Sequence, residues 1–197
     1  GERVQVDRQR LTEEQVVRYV EELRPIADRI AAEDANLRPS FFEFMTAMAW
    51  LQFVRERCDI GVLEVGLGGR LDATNLGTPE VSVITSIAMD HCEILGEDLA
   101  QIAWAKAGII KPGRPVILGR VPRVAEDVIR RVAAENQAPV VSVVEQFGED
   151  TAKYPHTNLE GDYQRWNAAT ATLAARALAP RWRMTDDAIT RGLAHEI

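Results

Sequence analysis

The spacing of apolar residues changes along the chain near residue 59. Before that point apolar positions recur every three or four residues, which is typical of amphipathic helices. One helix is predicted to begin after Thr12 and to continue to about Ala35. A second is predicted to begin after Ser40, with Glu43 at the capping-box position. Residues 3–7 alternate like a short strand, but no partner strand is evident in the sequence.

From Asp59 onward, short apolar runs alternate with helical patterns. This alternation predicts an α/β fold in which a parallel β-sheet is flanked by helices. We expect residues 1–58 to form an N-terminal strand and helices, 59–144 a parallel α/β core, and 159–197 the last helices of the same domain. The polar stretch 145–158 is expected to be a loop. The predicted strands are Ile60–Leu63, Val81–Thr85, Pro115–Leu118 and Pro139–Val143, and the predicted helices in this part are 98–107, 123–136, 163–179 and 185–194.

Composition narrows the class of protein. The chain has 197 residues, of which 46% are hydrophobic and 27% charged, and its net charge is -7. An acidic balance argues against a general nucleic-acid binder, and the chain has no apolar run near the ~20 residues that cross a membrane. The two cysteines, Cys58 and Cys92, have neither metal-ligand spacing nor the number for a disulfide framework. We therefore expect a cytoplasmic protein without nucleic-acid or membrane partners.

Glu64 directly follows the first apolar run and precedes a glycine-rich stretch. Taken alone, it has two interpretations: a carboxylate that caps the next turn or pairs with Arg70, or an oxygen ligand for Mg²⁺ beside phosphates. The stretch Gly66-Leu67-Gly68 is not a dinucleotide fingerprint, because Leu71 stands where the third glycine is required. The sequence also contains no G-x-x-x-x-G-K-[ST] phosphate loop.

Two further residues could join Glu64 in one site. His91 comes after the run Val81–Thr85, so we expect it at a strand end beside Glu64. Lys106 lies in the otherwise apolar last turn of a helix. It could complement the helix dipole, or it could be a partly buried amine that needs an anionic partner or a chemical change.

Two aromatic segments have both structural and functional interpretations. Ser40 to Glu43 could be simply a capped helix start, or a platform for a flat heterocycle whose ring N–H groups a carboxylate accepts. Gln164 and Asn167 share one helical face and could cap loops or read a base. The neighbouring Tyr163 and Trp166 have no assigned role beyond stacking on adenine.

Several separated segments together resemble one enzyme family. They are F-F-E-F-M-T-A, L-E-V-G-L-G-G-R-L-D-A-T-N, T-S-I-A-M-D-H-C-E-I-L-G and I-A-W-A-K-A-G-I-I-K-P-G, with weaker agreement in L-E-G-D-Y-Q-R-W-N-A-A-T-A. The chain resembles folylpolyglutamate synthase and the bifunctional dihydrofolate synthase, members of the Mur ligase superfamily. The resemblance implies the central, ATP-binding domain of a Mur-type ligase.

The resemblance also implies a reaction and roles for individual residues. ATP would phosphorylate the carboxylate of dihydropteroate or of a folate glutamate, and the amine of L-glutamate would attack the acyl phosphate. Matching positions imply that Glu64 and His91 are Mg²⁺ ligands and that His91 and a carbamylated Lys106 are catalytic. Asn167 would contact ATP. The implied pterin contacts are Ser40, Phe41, Phe42, Glu43 and Leu71.

The chain also departs from the family pattern. The glycine-rich phosphate loop and a Mg²⁺-binding serine should precede this segment, and a P-G-R motif and a C-terminal domain should follow it. We therefore expect a domain of residues 1–197 that is truncated at both ends and does not catalyse ligation alone. The expected partners are the small molecules dihydropteroate or folate, L-glutamate and ATP. The protein is expected to be a monomer. Two alternatives stay open: a Mur-type ligase with another substrate, and a non-catalytic nucleotide- or pterin-binding domain.

Overall fold

The structure is a computed structural model that describes residues 2–195. It divides into two compact units between Gly66 and Leu67. The first unit is mainly helical and the second contains a parallel sheet flanked by helices, so the predicted α/β class is confirmed.

The first unit begins with a hairpin. Strand β1 (Gln5–Val6) pairs in antiparallel fashion with β2 (Gln9–Arg10), and Asp7 and Arg8 form the turn with positive φ angles of 50° and 65°. Helix α1 (Glu13–Glu33), a 3₁₀ turn (Ala35–Leu37) and helix α2 (Phe41–Arg55) follow. The hairpin gives the predicted strand in residues 3–7 the partner that the sequence did not reveal.

Side-chain caps fix the starts of both long helices. The Thr12 hydroxyl accepts from the Gln15 amide, and the Gln15 side chain accepts from the Thr12 amide. Both reciprocal bonds satisfy N–H groups that a helix start otherwise leaves unpaired. The two helices pack through a small core that contains Val4, Leu11, Tyr19, Met48 and Ala49.

The second unit is built on a three-stranded parallel sheet. Its order is β3-β4-β5, with Ser82 paired to Val116 and Val116 paired to Val140. The strands are β3 (Ser82–Ile84), β4 (Val116–Leu118) and β5 (Val140–Ser142), and the helices are α3 (Cys92–Leu95), α4 (Leu99–Ala107), α5 (Arg123–Glu135), α6 (Val143–Phe147), α7 (Tyr163–Trp182) and α8 (Asp186–Ala194). Two 3₁₀ turns, Ala73–Leu76 and Thr151–Lys153, complete the unit.

Helices cover both faces of this sheet. Because side chains alternate along a strand, Val116 and Leu118 pack into a core with α4 and α5. Ile117 points into a second core with Leu173 of α7. Three of the four strands predicted in this part therefore form, each shorter by one or two residues than its apolar run.

The predicted strand Ile60–Leu63 is wrong. Residues 60–65 form no strand among the residues described, and Val62 is 88% exposed. An apolar run becomes a buried strand only when a neighbour supplies its hydrogen bonds and helices cover its side chains. Within residues 2–195 no strand pairs with this run.

Smaller differences concern the last third of the chain. The expected loop 145–158 contains the end of α6 and a 3₁₀ turn, and α7 continues through Pro180 to Trp182 instead of ending at residue 179. Within the described part of the chain, every helix is too short or too polar to cross a membrane.

Candidate functional site

The glycine-rich stretch forms a tight loop at the start of the second unit. One carboxylate oxygen of Asp72 accepts from the Leu67 amide at 3.0 Å, and the other accepts from the Thr74 amide at 2.9 Å. Asp72 therefore closes the loop and caps the 3₁₀ turn Ala73–Leu76. Leu71, at the outer edge of this loop, is 85% exposed, so its apolar side chain is available to a ligand.

The loop 67–76 lies directly against the C-terminal end of α4. The Arg70 amide donates to the carbonyl of Ala105 at 3.0 Å. A Cβ atom on Gly69 would stand 2.9 Å from the carbonyl oxygen of Lys106. A Cβ atom on Gly108 would stand 2.2 Å from the Cβ of Arg70. Loop and helix end therefore approach more closely than residues with side chains at these two positions allow.

Asn75 joins the same two segments from the other end of the loop. Its side-chain amide donates to the carbonyls of Arg70 and Gly108, both at 3.1 Å. Its own carbonyl accepts from the Lys111 ammonium at 3.2 Å. Both ends of the loop are thus hydrogen-bonded to the segment that carries Lys106.

Lys106 lies in the last turn of α4 and is half-buried. Its neighbours Ala103 and Ala107 are fully buried. Partial burial is what the apolar surroundings predict, and it is unusual for a lysine side chain. The helix end places a favourable negative dipole near a protonated Lys106.

His91 occupies an unusual backbone conformation. It has φ 50° and ψ 40° at the start of α3, and its side chain makes no capping bond there. The imidazole is 57% exposed, with Nε2 3.6 Å from a carboxylate oxygen of Asp90. Its helix ends beside the glycine-rich loop, because a Cβ atom on Gly68 would stand 2.8 Å from Cδ2 of Leu95.

Three predicted site segments are therefore neighbours in the second unit. The loop that carries Leu71 contacts both α3, which His91 begins, and the end of α4, which carries Lys106. Glu64 belongs to the first unit, and the expectation that it ends a strand beside His91 is wrong because no strand forms there.

Of the two residues predicted to bind metal, His91 has the Asp90 contact described above, and Glu64 makes no such contact. Glu64 is exposed and makes no hydrogen bond or ion pair with the other residues described. Within residues 2–195, no group of three or more His, Cys, Asp or Glu side chains is arranged to hold a metal ion. Because Mg²⁺ usually keeps several waters and takes only one or two protein carboxylates, such a group is not required for it.

The predicted pterin segment forms the start of α2. Ser40 and Glu43 make a reciprocal capping box, in which the Ser40 amide donates to the Glu43 carboxylate at 2.7 Å. That backbone bond lowers the pKa of Glu43 below its usual 4.5. Phe41 is 73% exposed, whereas the Phe42 ring lies against Gly66, where a Cβ atom would stand 2.5 Å from Cζ. Capping thus explains Ser40 and Glu43 without a ligand, but it does not explain the exposure of Phe41.

The predicted ATP contact lies on α7. Asn167 is exposed and donates to the Gln164 side chain at 2.9 Å, as expected for residues that share a helical face. Beside them, the Arg120 guanidinium lies 5.1 Å from the centre of the Trp166 ring and forms an ion pair with Glu149 at 3.0 Å. A cation therefore covers one side of the Trp166 ring.

Three residues near the predicted site were not identified as candidates from the sequence. Arg70 lies over the Trp104 ring, with its guanidinium carbon 4.5 Å from the ring centre, and Arg120 follows the end of β4. The signal for Arg120 was its place just beyond the carboxyl end of a parallel strand, where ligands gather. For the Arg70–Trp104 pair the sequence carries no signal, because the two residues are 34 positions apart and meet only through the loop.

Comparison with known proteins identifies clear relatives. No protein-family model matches the chain. A folylpolyglutamate synthase of Lacticaseibacillus casei is 34% identical over 98% of this chain and 50% of its own length. A dihydrofolate synthase/folylpolyglutamate synthase of Bacillus subtilis is 35% identical over 98% of this chain and 50% of its own length. The chain thus spans about half the length of these relatives.

Solved structures of folylpolyglutamate synthase (FPGS) share the fold. An FPGS–AMPPCP complex matches with a TM-score of 0.88 at 31% identity, over 100% of this chain and 54% of its own. An FPGS–AMPPCP–folate complex matches with a TM-score of 0.84 at 31% identity, over 98% of this chain and 52% of its own length. The folylpolyglutamate synthase of Thermotoga maritima matches with a TM-score of 0.84 at 32% identity, over 100% of this chain and 49% of its own length. By sequence and by fold, nearly the whole chain is similar to about half of these folylpolyglutamate synthases.

Proposed function

We propose that the protein is an ATP-dependent carboxylate–amine ligase that adds L-glutamate to dihydropteroate or to a folate glutamate. The observation that best supports this is the similarity of nearly the whole chain to FPGS, including an FPGS solved with both AMPPCP and folate. The exposed Leu71, held beside the end of α4 that carries Lys106, supports the same reaction from the geometry.

The proposed reaction has two steps. The acceptor carboxylate attacks the γ-phosphorus of ATP, so that an acyl phosphate forms and ADP leaves. The amine of glutamate then attacks the acyl carbon, an amide forms, and inorganic phosphate and a proton are released. Neither step needs a covalent bond to the protein, so positioning and charge stabilisation supply the catalysis.

In this scheme each segment has a separate task. The exposed Phe41 and Leu71 offer apolar surface to the pterin ring. The Ser40–Glu43 capping box fixes the helix start on which Phe41 is carried. Asn167, with Gln164 orienting its side-chain amide, contacts the nucleotide.

Glu64 and His91 would hold Mg²⁺. A carboxylate oxygen and an imidazole nitrogen are suitable donors, and both side chains are exposed. When bound beside phosphates, Mg²⁺ supplies positive charge that stabilises phosphoryl transfer.

Lys106 is proposed to act as a carbamate. A neutral lysine amine adds to CO₂ to give a carbamate anion and a proton, which replaces a crowded cation by an anion that binds metal. His91 and the Lys106 carbamate would together orient the metal and the phosphate.

The remaining expectations belong to the same proposal. The substrates are small molecules and the protein acts as a cytoplasmic monomer; Cys58 and Cys92 are free thiols, which is consistent with a reducing compartment. Because its sequence contains no phosphate loop, the 197-residue chain alone is expected to lack ligase activity.

A product assay tests the proposal. The full-length protein that carries this chain is incubated with ATP, Mg²⁺ and L-glutamate, and with dihydropteroate, tetrahydrofolate monoglutamate or a nucleotide-linked muramic acid. Mass spectrometry should detect one added glutamyl residue on a pteroyl acceptor, with ADP formed in equal amount. A product only from the muramic acid would indicate another Mur-type ligase, and binding of nucleotide and pteroate without any product would indicate a non-catalytic domain.

A further inference from the structure

Both the backbone and the side chain of Arg70 contact the C-terminal end of α4. Its amide donates to Ala105 at 3.0 Å, and its carbonyl accepts from the Asn75 side chain. Its Cβ faces Gly108, where even one added carbon would overlap it. Its guanidinium lies over Trp104, a residue of the same helix. Backbone and side chain therefore contact the same helix end.

The Arg70–Trp104 contact is a cation–π interaction in which the cation has no competing partner. Among residues 2–195, Arg70 forms no ion pair with a carboxylate, and its guanidinium lies over the Trp104 ring. Trp104 is itself 47% exposed, so burial in a core does not explain an aromatic side chain there. The guanidinium is attracted to the face of the Trp104 ring, and each group shields one side of the other from solvent.

The two partners stand next to the two residues on which the proposed reaction depends. Leu71 follows Arg70 directly, and Lys106 is two positions beyond Trp104 on α4. We propose that the Arg70–Trp104 pair is a positioning device that fixes the pteroyl-contacting loop relative to Lys106. This inference rests on the proposed ligase function.

The hydrogen bonds to Ala105, Gly108 and Lys111 hold the loop through its backbone and through Asn75. The stacked guanidinium adds a side-chain attachment between the loop and the helix residue two positions before Lys106. A shift of about 1 Å in the acceptor relative to the phosphate can lower the rate of an oriented reaction on the order of a hundredfold.

Kinetics of paired variants in the full-length protein test this role. Arg70→Gln and Trp104→Leu should each lower kcat about tenfold and raise the KM for the pteroyl acceptor, while the KM for ATP stays unchanged. The double variant should be no slower than either single variant, because both remove one interaction. Trp104→Phe, which keeps an aromatic ring, should restore most of the rate.

A matched control is available in the same unit. Arg181 lies 4.8 Å over the Trp182 ring at the end of α7, and Trp182→Leu should leave all kinetic constants unchanged. Multiplicative losses in the Arg70/Trp104 double variant, or an equal rise in the KM for ATP, would overturn the proposal.

A second measurement does not depend on turnover. Amide hydrogen exchange should become faster in residues 67–76 of Trp104→Leu, with α5 unchanged. Unchanged exchange in the loop would overturn the positioning role even if the wild-type protein proved inactive, whereas a wild type without product would count only against the ligase function.

Discussion

Gly108 lies directly against Arg70, so closely that a Cβ atom on residue 108 would stand 2.2 Å from the Cβ of Arg70. No side chain, not even alanine's, fits this gap without moving the backbone of Arg70, whose Cα is 2.6 Å away. The glycine is required by the neighbour and not by its own backbone, because its φ of -62° suits any residue. The position of the loop at Arg70 therefore requires a residue without a side chain at position 108.

Substituting this glycine should destabilise the protein. Gly108→Ala is expected to lower the free energy of unfolding by about 1–3 kcal/mol, which is the usual cost of overpacking. Urea denaturation with circular dichroism measures it. Gly192→Ala is the control: it lies in α8 with nothing within 4 Å of the added carbon, and it should stabilise by up to about 1 kcal/mol. Equal effects of the two substitutions would contradict the close contact at Arg70.

The core of the first unit depends on a buried polar pair. Tyr19 is fully buried, and its hydroxyl donates to the Gln52 side-chain oxygen at 2.5 Å. Tyr19→Phe leaves that oxygen buried without its donor and should cost about 1–3 kcal/mol in urea denaturation. Tyr163→Phe, at an exposed position, should change stability by less than about 0.5 kcal/mol. If Tyr19→Phe left the free energy of unfolding unchanged, the Gln52 side chain would have found another hydrogen-bond partner.

The capping box at Ser40 should make stability depend on pH in the acid range. The Ser40 amide lowers the pKa of Glu43 in the folded protein below the 4.5 of an unperturbed glutamate. The stabilisation is therefore complete above about pH 4.5 and is lost as the pH falls through the lowered pKa. Thermal unfolding from pH 7 to 2.5 should show Glu43→Gln less stable than wild type at neutral pH and equal to it at the acid end. Glu33→Gln, at an exposed and unpaired position, should run parallel to wild type throughout.

The proposed carbamate makes Lys106 sensitive to substitution and to rescue. Lys106→Ala in the full-length protein should lower kcat by roughly 100-fold or more, since a charged group that orients the metal and phosphate is lost. Added acetate or formate should restore part of the rate by supplying a carboxylate in the vacated space. Lys153→Ala, on an exposed 3₁₀ turn, is the control. Full activity of Lys106→Ala, or no effect of either acid, would rule out the carbamate.

Local features were predictable from the sequence because their causes are local. The helix starts at Thr12 and Ser40 follow from side chains that bond amides three residues away. The three strands of the parallel sheet follow from apolar runs between helical patterns, and the partial burial of Lys106 follows from its apolar neighbours.

Features that depend on distant partners were not predictable. The run Ile60–Leu63 resembles the other strands but forms none within the residues described, because strand formation depends on a neighbour and not on the run itself. The β1–β2 hairpin was missed because its turn, Asp7–Arg8, lacks the glycine that usually marks such turns. The contact between Gly108 and Arg70 joins positions 38 residues apart, and nothing in either segment alone indicates it.

The most direct test of the proposed function follows an oxygen atom. The full-length protein is given ATP, Mg²⁺, L-glutamate and dihydropteroate labelled with ¹⁸O in its carboxylate, and the released phosphate is analysed by mass spectrometry. An acyl phosphate transfers one acceptor oxygen to phosphorus, so we predict one ¹⁸O in each phosphate released from labelled acceptor. Product formation with unlabelled phosphate would contradict the proposed acyl-phosphate mechanism.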